Sequence, residues 1–147
     1  TTEQMNNLKR EVQNRPILYA SNTGLGIPLL EGMLKHLGKA LNDFKCQIEE
    51  THHVHKKDAP SGTAISLASA LKDGGYADAV DIKSNREGEV IGIHTLTFST
   101  PLEEITISHR AIDRRLFALG ALKAALWLKD QKPGFYTMGD FLSINPK

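Results

Sequence analysis

Cysteine is almost missing from this chain: Cys46 is the only one in 147 residues. That excludes an internal disulfide and a cysteine-rich metal site, and a lone thiol is ordinary in a reducing compartment, so a cytoplasmic location is expected. Neither sign of charge is in excess, 18 Lys and Arg facing 17 Asp and Glu for a formal net charge of +1. No global field draws such a chain to nucleic acid or to an anionic membrane, and any pull on an anion must come from a local cluster. No apolar run approaches the ~20 residues of a membrane span, and no charged-then-apolar leader opens the chain. Repeats and low-complexity tracts are missing as well. So is an initial methionine: Thr1 stands first, and the chain reads as part of a longer or processed product. What is present, 40% apolar and 24% charged residues, is the composition of a soluble globular protein. The length suits one ordinary domain, or a small domain with pieces of another.

The apolar pattern predicts a short helix over about 3–13, ended by Pro16, and a strand at Ile17–Ala20. Ile27, Leu30, Leu34, Leu37 and Leu41 keep helical spacing from Gly26 to Asn42, with Pro28 in the first turn, where its missing N–H costs nothing. Residues 44–49 alternate like a half-buried strand, and 50–62 read as a polar loop. An alanine-rich helix follows over 63–71, then strands at 78–83, 90–98 and 102–109, the last two joined tightly through Thr100-Pro101. On strand 90–98, Gly92, His94 and Leu96 share one face. Residues 114–128 form a strong helix with Leu116, Leu119, Leu122, Ala125 and Leu128 near one stripe, and a short turn or helix lies around 137–142. Consecutive strands near the end imply antiparallel pairing. The expected fold is α+β, a mixed open sheet with helices on one face.

One stretch is chemically unusual. Between Glu49 and Ala64, three of the six histidines (His52, His53, His55) and two lysines (Lys56, Lys57) fall within six residues, followed at once by Pro60-Ser61-Gly62-Thr63 leading into a helix. A helix N-terminus presents unpaired amide N–H groups and a partial positive charge, which suit a carboxylate or phosphate. Gly62 lets an anion approach the backbone, while Ser61 and Thr63 add hydroxyls. The cationic cluster would supply donors from the other side. Crowded cations disfavour one another's charging, which moves a Lys or His toward general-acid duty. Together these features describe a site for a small, doubly anionic molecule.

Blander readings compete. A Ser-capped helix start is usually structural, and a charge run is usually a solvated face. A metal centre is the chemical rival, with His52, His53, His55 and Asp58 as donors. Their spacing matches no helical His-x-x-x-His pair, an extended stretch turns His52 away from His53 and His55, and two lysines oppose a dication. No metal is expected. A His-cluster metal hydrolase and a non-catalytic dicarboxylate-binding or oligomerisation module therefore stand as alternatives to an enzyme acting on a small dianion.

Glu50-Thr51-His52-His53-Val54-His55-Lys56-Lys57-Asp58-Ala59-Pro60-Ser61-Gly62-Thr63-Ala64 resembles the signature of dihydrodipicolinate reductases, and the resemblance extends over effectively the whole chain. Tyr19-Ala20-Ser21-Asn22 is similar to the family's strand and turn that enter the substrate domain, Arg86-Glu87-Gly88 through His94 and Ile105 to Ala111 with Arg114 to its later strands, and Phe117 to Leu128 to its closing helix. The resemblance implies reduction of a cyclic imine dicarboxylate, with loss of water, by hydride from NADPH or NADH, in lysine and diaminopimelate biosynthesis. It makes His52 the catalytic histidine, Lys56 the proton donor, His53 a substrate contact, Gly62 with Thr63 a carboxylate cradle, and Arg114 a further substrate candidate. Thr1 and Thr2 match the end of a cofactor contact, and Ala20, Ser21, Asn22 and Thr23 a second, with Thr23 replacing an aromatic often found there.

The family's glycine-rich dinucleotide fingerprint is absent. Gly24-Leu25-Gly26 approximates it, but Leu29 stands where the third glycine belongs. The stretch from Lys83 to His94 is also shorter than in many members. The implied map is residues 1–22 and 115–147 as remnants of a Rossmann-type nucleotide domain and 23–114 as the substrate-binding, catalytic and oligomerisation domain. Such a chain alone would bind cofactor poorly and be inactive. Homotetramers would form through the sheet, with strand 90–98 the candidate contact.

Overall fold

In a computed structural model, which describes residues 2–143, the backbone divides into two compact units. One runs to Leu29 and resumes at Arg115; the other is Leu30–Arg114.

The second unit is built on a four-stranded sheet. Its strands are β2 (Lys45–His52), β3 (Val80–Arg86), β4 (Gly92–Ser99) and β5 (Glu104–Ala111), in the order β3-β2-β4-β5. The pairs β2–β4 and β4–β5 are antiparallel, the latter joined by a short turn. β2 and β3 are parallel, and that pairing demands a crossover, supplied by helix α3 (Gly62–Asp73). Alternation puts Cys46 and Ile48 of β2 and Leu96 and Phe98 of β4 on one buried face with Leu67 and Leu71 of α3. Leu34, on helix α2 (Gly26–Leu37), and Leu41, in the 3₁₀ turn Gly38–Leu41 that extends it, are buried as well. The ends of α2 and α3 meet backbone to backbone. A Cβ on Gly74 would lie 2.6 Å from the Leu34 carbonyl oxygen, and one on Gly38 2.5 Å from that of Leu71, so both positions require glycine. The opposite face is polar and tied by cross-strand pairs: Gln47 to Asp81 at 3.0 Å, Asn85 to Glu49 at 2.9 Å and Thr95 to Ser108 at 2.9 Å.

This is the mixed α+β sheet that the alternation implied, with one correction. β2 continues through Glu50, Thr51 and His52, where a loop was expected. Polar residues occupy the buried positions there, so the apolar period fades although the strand does not.

The first unit holds helix α1 (Thr2–Glu11), strand β1 (Pro16–Leu18), helix α4 (Arg115–Leu128), strand β6 (Gly134–Tyr136) and the one-turn helix α5 (Met138–Phe141). β1 and β6 pair in parallel, Ile17 opposite Phe135; the three-residue β6 leaves no readable period. Thr137 and Asp140 cap α5 reciprocally. Trp127 packs edge-on to Tyr136, with ring centroids 5.3 Å apart. α4 leaves the middle of its leucine stripe uncovered: Leu119 and Leu122 are 59% and 63% exposed. Its buried seam is Gly120 and Ala124, because the Thr23 carbonyl sits where a Cβ on Gly120 would be, 1.7 Å away. Close backbone approach, rather than leucine packing, seats this helix. No helix among the described residues is long and apolar enough to cross a membrane.

Candidate functional site: a buried Glu–His–His network beside the start of α3

The polar end of the covered sheet face carries the chemistry. Glu50 and His52 follow Cys46 and Ile48 on the same side of β2, and His94 precedes Leu96 and Phe98 on the same side of β4. Register places Ser84, Glu50, His94 and His109 in one row across the four strands. Glu50 is wholly buried and accepts hydrogen bonds from every side. His52 Nδ1 meets its Oε2 in a short contact, Ser61 N donates to Oε1 at 3.2 Å, and Arg86 Nη1 reaches Oε1 at 3.1 Å and Oε2 at 3.2 Å. Burial works to raise this carboxyl, but hydrogen bonds from Ser84, His52 and Arg86 outweigh it and hold it below the usual carboxylate range.

The two imidazoles behave differently. His52 is drawn down by burial, with Glu50 opposing and the charges of Lys56 and Arg86 adding to the fall. His94, 4% exposed, is pushed down to about 4, by burial first and by the neighbouring His52 next. Their rings meet edge to face with centroids 5.1 Å apart. Both are neutral near pH 7. His109 is lowered too, by burial alone.

Ser61 joins this network to the helix. Its Oγ accepts from Ala64 N at 3.1 Å as the N-cap of α3 and lies 3.1 Å from His94 Nε2. The hydroxyl expected to greet a ligand is thus buried and engaged internally, and Ser61 serves as the joint between helix and sheet. Gly62 next to it is exposed, and a Cβ there would meet nothing within 4 Å. The mouth of α3 is therefore open to an approaching anion. Thr63 follows, half-buried.

Arg86 also holds the loop that carries the lysines. Its Nε donates to the Lys56 carbonyl at 3.2 Å and its Nη2 to that of Asp58, while Nη1 stays on Glu50. Lys56 Nζ pairs with both Asp58 carboxylate oxygens, at 2.7 and 2.8 Å. Its charged partner is an anion, where the sequence suggested crowding by cations. His53 is half-buried, and its ring centroid lies 6.2 Å from that of the exposed His55, which reaches Glu89 at 3.9 Å. Arg114 lies exposed just before α4.

Of the predicted residues, His52, Lys56, Ser61 and Gly62 fall around one network. Glu50, Arg86 and His94, which complete it, were not singled out. A signal existed: Glu50 is two residues before His52, and His94 has the parity of Leu96 and Phe98. The donor atoms of Glu50, His52 and His94 lie within 4.8 Å of one another. This trio shares only His52 with the metal set weighed from sequence, and its carboxylate already carries Arg86 on both oxygens. That donor set suits an internally paired network better than a dication.

The residues matched to a cofactor belong to the first unit. Thr1 lies outside the described residues, and Thr2 begins α1. Ala20–Thr23 leave the carboxyl end of β1, the end of a parallel strand at which open α/β sheets take ligands. Asn22 Oδ1 accepts from Gly24 N at 2.8 Å, and Thr23 Oγ1 donates to the Phe117 carbonyl at 2.8 Å, so these side chains brace the turn. Gly24 is explained by packing: a Cβ would lie 2.3 Å from Leu116 Cδ1. The described residues include no glycine-rich pyrophosphate cradle.

An α+β domain whose sheet ends in a buried carboxylate–imidazole network, beside an open helix start and a lysine loop, presents a candidate site for a small anionic molecule. Residues 26–142 match the family described as dihydrodipicolinate reductase, C-terminus, and the chain belongs to that family. It is 38% identical to the 4-hydroxy-tetrahydrodipicolinate reductase of Sulfurimonas denitrificans over 160 residues, covering 96% of this chain and 63% of the relative. It is 45% identical to that of Thermosipho africanus over 138 residues, covering 94% and 60%. The chain thus spans about three fifths of the relatives' length. The fold is similar to that of dipicolinate-bound dihydrodipicolinate reductase from Paenisporosarcina sp. TG-14, at TM-score 0.73 and 20% identity, over 93% of this chain and 59% of that one.

Proposed function

We propose that the protein containing this chain is a cytoplasmic oxidoreductase of lysine and diaminopimelate biosynthesis that reduces 4-hydroxy-tetrahydrodipicolinate to tetrahydrodipicolinate with hydride from NADPH or NADH. The observation that carries this reading is the folding of segment 50–64 into one network at the start of α3, in a chain whose relatives bear that enzyme's name. The bound nucleotide supplies the hydride. The chain's own residues supply the rest. Gly62 and Thr63, at the amide-rich start of α3, cradle one substrate carboxylate. His53 and Arg114 contact the diacid, and Lys56 delivers the proton that accompanies hydride addition and water loss. His52 stands beside the reacting ring. Residues 23–114 act as the substrate domain, and 1–22 with 115–147 as pieces of the nucleotide domain, Ala20–Thr23 lying near the nicotinamide.

The test is turnover by the whole protein, supplied with dihydrodipicolinate synthase product and either nucleotide. Lys56→Ala and His52→Ala each lower kcat by ~10²–10⁴, the usual worth of a positioned acid or base; unchanged turnover in both would remove the assignment. The chain by itself binds the diacid and does not turn over, because the phosphate end of the nucleotide has no cradle in it. A homotetramer formed through the uncovered sheet face, with β4 central, completes the proposal, and a monomer by light scattering of the whole protein would contradict it.

A further inference from the structure

Glu50 is the most heavily hydrogen-bonded carboxylate of the site, and it contacts His52 at Nδ1 alone. An ionised carboxylate accepts and cannot donate, so the imidazole nitrogen against it carries the proton. The other nitrogen, Nε2, lies on the far side of the ring, and a Cβ placed on Gly92 would stand 3.1 Å from it. Glycine at that position therefore spares the Nε2 edge of the ring a close contact. The other groups around Glu50 prevent it from switching roles. Ser61 N–H and the Arg86 guanidinium are obligate donors and hold both of its oxygens as acceptors. Arg86 in turn grips the Lys56 and Asp58 carbonyls.

We propose that Glu50 is a positioning residue that locks His52 in the Nδ1–H tautomer, so that Nε2 presents a lone pair, and not an N–H, to the bound diacid, with Arg86 tying this setting to the loop that bears Lys56. His52 then receives a hydrogen bond from a substrate hydroxyl or ring N–H, and the positive charge that meets the carboxylates comes from Lys56 and the helix start. This rests on the site being the diacid site. It gives the two residues separate duties: Lys56 gives a proton, His52 takes a hydrogen bond.

The experiment reads the tautomer by long-range ¹H–¹⁵N correlation on ¹⁵N-histidine-labelled chain near pH 7, without ligand. The wild type is expected to show His52 protonated at Nδ1 and bare at Nε2; the reverse would overturn the proposal. Glu50→Gln offers one acceptor end and one donor end. Ser61 and Arg86 claim the acceptor, the amide NH₂ turns to His52 Nδ1, and the two nitrogen signals exchange places. A folded Glu50→Gln protein whose His52 stays protonated at Nδ1 would likewise overturn it. Should that variant not fold, the wild-type spectrum decides alone, and Arg86→Lys, which keeps the cation, must retain the wild-type tautomer. Since no ligand enters the spectrum, a correct tautomer without diacid binding sinks the reductase reading and leaves only the Glu50 lock on His52 standing, and binding with the wrong tautomer overturns the lock and spares the reductase reading.

Discussion

The two ends of the covered sheet face are built alike and filled in opposite ways. At one end Cys46, Ile48, Leu96 and Phe98 form a dry core; a few residues along the same two strands, at the same parity and equally buried, stand Glu50, His52 and His94. An apolar side chain needs only neighbours of the right shape. A buried carboxylate needs every lone pair answered, since a charge left alone costs more than its pair is worth. The polar end therefore recruits Ser84 and Arg86 from β3, Ser61 from the start of α3 and the loop carbonyls of Lys56 and Asp58. Burial that stabilises one end becomes an organising demand at the other, and that demand assembles the site.

The sharpest way to break the contrast is to cut each end once. Phe98→Ala should lower stability by ~3–5 kcal/mol through its cavity, and Arg86→Ala by a similar ~3–5 kcal/mol through the buried carboxylate stripped of its cation. Urea denaturation measures both. Only Arg86→Ala should also disturb the His52 resonances, because Phe98 lies at the other end of the strands.

A smaller effect separates the ends by pH. The folded imidazole of His94 is lowered to about 4 from 6.5, so the unfolded chain binds more protons between those values. Stability must then fall as pH drops from about 6.5 toward 4 and level off below for this group, by up to ~3 kcal/mol. Glu50 adds its own loss at lower pH, as the medium passes from its unfolded value down through its depressed folded one. His94→Gln should flatten the upper part of the profile, followed by thermal unfolding at several pH values. An apolar-end change such as Ile48→Val should shift the whole curve by ~0.5–1.5 kcal/mol without altering its slope.

How much of this was legible depended on the kind of signal. The mixed sheet, the β4–β5 hairpin and the helix at Gly62 were readable, because alternation and turn chemistry are local. The 50–64 segment was readable by its dense imidazoles and its family resemblance. Glu50 and His94 were not, although both lay in plain view: a buried polar residue in a strand breaks the apolar period that reveals the strand. Arg86 was hidden for another reason, since only the parallel β2–β3 register, which is non-local, brings it to Glu50. Ser61 was found as a hydroxyl at the helix start, but its place as the joint to His94 was not, because that contact is non-local. The seam of α4 was hidden too, because two small residues under a passing carbonyl leave no apolar period, while Leu119 and Leu122 of the readable stripe stand exposed.

The whole account turns on the open helix start and its flanking lysine gripping a small diacid. Calorimetric titration of the chain with pyridine-2,6-dicarboxylate tests it directly. Saturable binding that weakens at least ~10-fold, or ~1.4 kcal/mol, in Lys56→Ala, with the fold intact, is the predicted result. No heat with the wild-type chain, or equal affinity in the variant, would contradict it.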